Sequence, residues 1–184
     1  DTYLAIWGDP DLGYAEDDYV GCEVMRHLGY VYNGDSLDGD GLGPTDYPDN
    51  PPAAGIEILA GPIANMNDGV DNNRDGNVDE FRECHRMSKY TYFTRADLGP
   101  IGPPPDEAED YYNYIQAIWR DGTPLHYGGT GHPAGGADSL TTADFIFPGD
   151  SDPQGFGTNM IPQAQWTEET ADNPIGDRSM IISS

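Results

Sequence analysis

Short runs of β-branched and aromatic residues alternate along this chain with clusters of Gly, Pro, Asp and Asn. Runs of that length, closed by turn residues, predict strands more readily than helices. They fall at residues 3–7, 19–24, 28–32, 55–60, 89–94, 145–147 and 180–183. In Lys89-Tyr90-Thr91-Tyr92-Phe93-Thr94 the threonines and tyrosines alternate, which predicts a half-buried strand. One segment is helical in pattern. Three prolines precede Asp106-Glu107-Ala108-Glu109, where Asp106 is placed to cap and Glu109 to answer it three residues on. A helix over about 106–120 follows, with Tyr111, Ile115, Ile118 and Trp119 as its buried stripe and Gly122 as its stop. The expected fold is mainly β and β-sandwich-like, with this one helix and long loops.

The loops, at 33–54, 99–106, 122–136 and 149–165, are longer than compact domains usually carry unless a ligand, a metal or a neighbour organises them. No fixed-period repeat or sharp linker divides the chain, so its 184 residues are expected to form a single β-rich domain. The chain begins at Asp1 without methionine, and its last residues read as a strand stopped at Ser184. Both ends lead to the expectation of a segment from a longer multidomain protein. There is no apolar run of the roughly 20 residues a membrane helix needs.

Charge changes the picture most. Asp and Glu number 33 against 8 Lys and Arg, a formal net charge of −25 that repels nucleic acid and anionic membranes. Aspartates account for 24 of the 33 acids, and they cluster in Gly/Asn-rich stretches such as 35–40 and 68–80. A general acidic surface, of the kind that also depletes lysine (Lys89 is the only one), is the plainer alternative. Clustering of the shorter acid favours cation loops.

The sharpest cluster is Asp71-Asn72-Asn73-Arg74-Asp75-Gly76-Asn77-Val78-Asp79-Glu80. It sets oxygen-bearing side chains at relative positions 1, 3, 5 and 9 with Gly at 6, the spacing by which a tight turn aims alternate oxygens at one Ca²⁺. Asp71, Asn73 and Asp75 are the expected first ligands, Asn77 contributes its carbonyl, and Asp79 or Glu80 closes the sphere. Position 12 is Arg82 where an EF-hand has Glu, so an ordinary EF-hand is disfavoured. The loop resembles the shorter calcium loops of dockerins and thrombospondin type 3 repeats. Its wider form from Asp68 resembles a metal-binding motif of secreted bacterial proteins that often has Cys where Arg74 stands. An Asx-rich turn without metal is the competing reading. A second site is expected from Asp9, Asp11, Asp17, Asp18, Asp35, Asp38 and Asp40, with Asp150 and Asp152 as weaker candidates.

Catalytic signatures are missing. No His-Glu-x-x-His helix, Gly-x-Ser-x-Gly elbow or phosphate-binding glycine loop occurs. His126 and His132 flank a glycine-rich turn but lack a third ligand in sequence. Carboxylate pairs are too numerous for any one to stand out. Loop aromatics Tyr47, Tyr127, Phe156 and Trp166 are candidates for an interface or for stacking carbohydrate. Cys22 and Cys84 are the two cysteines, and a disulfide closing a loop of about 60 residues is expected to add roughly 4 kcal/mol. Two free thiols are the alternative.

Several stretches carry a family resemblance: Asp17-Asp18-Tyr19-Val20-Gly21-Cys22, Leu28-Gly29-Tyr30-Val31-Tyr32-Asn33-Gly34-Asp35, Trp119-Arg120-Asp121-Gly122-Thr123-Pro124, Tyr127-Gly128-Gly129-Thr130-Gly131 and Phe147-Pro148-Gly149-Asp150. Their order is similar to a region of large extracellular proteins of gliding-type bacteria that use the type IX secretion route. The resemblance implies secretion, surface attachment and further β-domains, with residues 68–80 as an inserted calcium loop, and it implies no catalytic residues. The expectation is therefore a non-enzymatic, calcium-binding structural or adhesive module of a secreted or cell-surface protein. Its partners would be neighbouring domains or copies in a filament, and carbohydrate is a further candidate. The competing class is a non-catalytic segment of a secreted peptidase or glycosidase.

Overall fold

A computed structural model describes residues 3–10, 12–14, 17–39, 47, 51–94, 102–155, 158, 160–162, 166–170 and 178–183. The architecture is mainly β, in two three-stranded antiparallel sheets. One sheet is a meander of β2 (Asp18–Glu23), β3 (Leu28–Asn33) and β4 (Ala53–Glu57). The β2–β3 connection is a single 3₁₀ turn at Val24–Arg26, closed by His27 in the left-handed region (φ 57°). The other sheet orders β1 (Leu4–Gly8), β6 (Arg178–Ser183) and β5 (Lys89–Phe93), so the last strand lies between the first and the fifth.

Six of the seven expected strands form within about three residues of their expected bounds. The seventh, 145–147, makes only an isolated parallel bridge, Phe145 to Tyr90. There the Tyr90 amide donates to Asp144 O and its carbonyl accepts from Ile146. That segment covers the outer edge of β5, and the expected half-buried alternation fails as a result: Tyr90, Thr91, Tyr92 and Phe93 are all fully buried. Tyr90 faces one apolar cluster with Cys22, Val24, Ile58, Met87 and Phe145. Tyr92 and Phe93 face a larger one, in which Val20 and Val31 of the first sheet meet Ile182, Trp119 and Phe147. The two sheets thus share apolar packing around edge-to-face aromatic contacts, among them Phe93 to Tyr114 at 4.6 Å and Tyr92 to Trp119 at 5.7 Å between ring centroids.

The helix is shorter than its pattern predicts. α1 spans Ala108–Tyr114, and its start is held by Asp110, whose carboxylate accepts the amides of Asp106 and Glu107 at 3.0 Å each. It ends because Ala117 adopts φ 57°, with Ala117 N donating to Tyr114 O and Ile118 N to Asn113 O, a Schellman closure five residues before Gly122. The stop rotates the expected stripe. Tyr114 and Trp119 are buried, while Tyr111 is exposed. Between α1 and β6 the described chain wraps the core with only short 3₁₀ turns, at Pro133–Gly135 and Glu168–Thr170, pinned by Trp119 Nε1 donating to Gly131 O (2.9 Å) and Tyr92 Oη to Thr130 O (3.1 Å). Gly131, at φ 83°, is required here, since a Cβ would lie 2.5 Å from Ile146 Cδ1. Among the described residues no helix is long and apolar enough to cross a membrane.

Candidate metal loop

The expected calcium segment sits on an excursion with a defined neck. Residues 61–64 run antiparallel to 83–85: Gly61 N donates to His85 O (2.7 Å), His85 N to Pro62 O (2.8 Å) and Ala64 N to Glu83 O (2.8 Å). The chain between these segments is rich in Asn and Asp, and it coils on its own side chains as such sequences do. Asp71 accepts the Asp75 amide at 3.2 Å on Oδ1 and the Gly76 amide at 2.8 Å on Oδ2. Asn73 Oδ1 accepts from Asp75 N (2.9 Å), and Asp75 Oδ1 from Asn77 N (2.9 Å). Positions 1, 3 and 5 of the spacing therefore wrap the chain into one tight coil. Gly76 turns it at φ 96° with open space on its Cβ side.

Asn73 stands at the centre. Its Nδ2 donates to Asp75 Oδ2 (3.3 Å) and to Glu80 Oε1 (2.8 Å), so one positively polarised group gathers two carboxylates. The amide donated by Asn77 holds the Asp75 carboxyl below its usual range. One expected donor is turned elsewhere. Asp79, at φ 56°, accepts the amides of Asp68 and Gly69 on Oδ1 across the coil (3.0 and 3.1 Å). Asn77 donates its side-chain amide to Asp75 Oδ1 (2.9 Å). Glu80 keeps Oε2 buried with no hydrogen-bond partner. Among the described residues no three His, Cys, Asp or Glu side chains converge in a ligating group. A cation here would rely on Asp71, Asp75, Glu80 and the Asn73 oxygen together, and the orphaned Glu80 oxygen is the feature that suits one.

The coil is docked on the protein body by the residue at which the secreted-protein motif often has Cys. Arg74, at φ 57°, sends Nη1 to Met87 O (2.7 Å) and lays its guanidinium over Phe145, 5.1 Å from the ring centroid. Burial lowers its pKa, while Asp152, Asp144 and Asp71 nearby oppose that shift. From the other side the buried His27 donates Nε2 to Asn73 O at 3.0 Å. Burial, reinforced by Arg74 and Arg86, pushes this imidazole down to about 4, so it is neutral near pH 7. Met25, Val70, Asp71, Arg74, Gly76 and Gln154 line an open groove beside the coil.

Three acids of the second expected site accept turn amides among the described residues. Asp38, 2% exposed, accepts the amides of Tyr14 (2.7 Å) and Tyr47 (2.9 Å) on its two oxygens. Asp17 Oδ2 accepts from Gly39 N at 2.6 Å, and Asp35 Oδ1 from Leu37 N at 2.7 Å. Burial raises the Asp17 pKa, with further upward pressure from Asp38 and Asp35. Asp38 and Asp17 thereby stitch residues 38 and 39 to Tyr14 and Asp17. Asp18 is buried on β2 and Asp9 follows β1, while Asp11 and Asp40 lie outside the described residues.

The expected Cys22–Cys84 disulfide is not formed. Cys22 lies in the core on β2, its thiol directed to Ile146 O (3.6 Å) and pushed well above its ordinary pKa by burial. Cys84 lies on the neck, directed to Arg82 O (3.5 Å). The histidine pair is likewise structural: His126 Nδ1 contacts Asp138 O (2.9 Å), and His132 bonds Asp121 (3.0 Å) and the Ala134 amide (3.0 Å). Trp166 is buried, donates to Gly129 O (3.0 Å) and packs on the half-buried Tyr127, 5.3 Å between ring centroids, which withdraws Trp166 from the interface candidates. Tyr47 is exposed, and Phe156 lies outside the described residues.

No protein-family model, curated protein or solved structure matches this chain.

Proposed function

We propose that this chain is a calcium-binding structural or adhesive module of a secreted or cell-surface protein, with its ion on the coil from Asp71 to Glu80. The observation that carries the reading is the gathering of Asp75 and Glu80 on the Asn73 side-chain amide, with a buried Glu80 oxygen left without a donor. Rotation of that amide would exchange its N–H for an oxygen and present a cation with three oxygen donors. Asp71, at the first position of the spacing, would add a fourth. The ion would neutralise self-repulsion in a chain of net charge −25 and tie the excursion to the body through Arg74 and His27. An extracellular location suits the affinity such loops usually have, a Kd of about 10⁻⁴ to 10⁻³ M, at which the low-millimolar calcium outside cells occupies the site from about half to nearly fully. The sequence resemblance to type IX-exported surface proteins points the same way.

Melting curves test this. At 10 mM calcium and a Kd of about 10⁻⁴ M, binding adds about 2.7 kcal/mol, which raises the Tm of a chain this size by about 5–10 °C over the same sample in chelator. An equal Tm in both overturns the proposal.

A further inference from the structure

Glu83 lies three residues past the last acid of the calcium spacing, yet it is 2% exposed. The neck puts it there. Its carbonyl accepts the Ala64 amide, and its own amide donates to Glu80 O at 3.1 Å after Arg82 reverses the chain at φ 63°. From that anchored position the carboxylate turns into the coil, where Oε1 accepts the amides of Asn72 and Asn73, the latter at 3.3 Å. Oε2 is closed off from solvent with no hydrogen-bond partner.

Glu80 and Glu83 thus meet on Asn73, one at its side-chain amide and the other at its backbone amide, and each keeps back one buried oxygen. Burying an anionic oxygen without a donor is costly, and a hard divalent cation is the partner that removes the cost for both at once. Arg82, at the position where an EF-hand places its closing Glu, is exposed and cationic and cannot serve. We infer, on the reading that this coil binds calcium, that Glu83 is a further ligand of that ion, supplied by the neck and closing the sphere with Glu80.

Calcium titration by calorimetry on the wild-type chain, Glu83→Gln and the exposed control Glu109→Gln tests it, with melting in chelator alongside. Gln keeps an oxygen for the Asn72 and Asn73 amides and loses the charge. Glu83→Gln is therefore expected to weaken calcium binding by about tenfold or more while melting in chelator no lower than wild type, and Glu109→Gln to change neither. Wild-type affinity in Glu83→Gln, or a Tm lowered equally with and without calcium, overturns the role of Glu83 and leaves the calcium loop standing. Absence of binding by the wild type at 10 mM calcium overturns both. Wild-type crystals grown with terbium and read by anomalous scattering need no variant: an ion within about 2.6 Å of a Glu83 oxygen supports the inference, and an ion beyond its reach refutes it.

Discussion

Replacing Arg74 by alanine removes the main link between the candidate calcium coil and the core. The change deletes a charged hydrogen bond to Met87 O and a cation–π contact with Phe145. A charge-assisted bond to a buried carbonyl is worth about 1.5–3 kcal/mol and a partly desolvated cation–π contact about 1 kcal/mol, so a loss of about 3 kcal/mol is expected. The backbone supplies an internal control. Arg74 holds φ 57°, a conformation that costs a side-chain-bearing residue about 1 kcal/mol relative to glycine. Arg74→Gly should therefore be less damaging than Arg74→Ala by about that amount, the reverse of the order expected in a strand or helix. Urea unfolding in chelator, followed by tryptophan fluorescence, reads both. Stabilities within about 0.5 kcal/mol of wild type would mean that the coil is not coupled to the core. Alanine milder than glycine would mean that Arg74 does not hold a left-handed backbone.

Other consequences are equally direct. Ala117→Gly, at the left-handed closure of α1, should stabilise the protein by about 1 kcal/mol by urea unfolding; a destabilisation would refute the Schellman stop. The amides of Glu107 and Asp106, and then Arg120, hold the Asp110 carboxyl below its ordinary 3.8. Its contribution is thus present above that pH and lost as pH falls through the lowered value, so Asp110→Ala should lower the Tm at pH 7 and lose its difference from wild type progressively as the pH is taken below the ordinary carboxylate range. In the folded protein a thiol reagent should label Cys84 promptly and Cys22 only on unfolding. Labelling of neither before reduction would restore the disulfide.

How much of this could be read from residue order depends on how local each feature is. The strands were legible because turn residues bound them closely, and the β2–β3 hairpin needs little beyond Val24–Arg26 and His27 to close. The residue pattern over-extends the helix because its stop is an Ala in a glycine-like conformation, which leaves no compositional mark. Burial of both faces of Lys89–Phe93 depends on residues 144–146, more than fifty positions away. The coil's turn-forming oxygens follow from spacing alone, since each bonds an amide within five residues. Glu83 falls outside that spacing, and only the neck pairing with Ala64 brings it underneath. An acid three residues after Glu80, just past the exposed Phe81 and Arg82, was the one signal available in sequence. The acids at 17, 35 and 38 looked alike in composition and proved to be acceptors for distinct turns.

Calcium titration of the ¹⁵N-labelled chain at constant ionic strength tests the central claim most directly. Saturable shifts confined to amides in and under the coil, from Asp68 to Glu83, with a midpoint between about 10⁻⁴ and 10⁻³ M, are the expected result. Shifts scattered over the acidic surface without saturation, or none at 10 mM calcium, would show that the aspartates serve only to charge the surface and shape the turns.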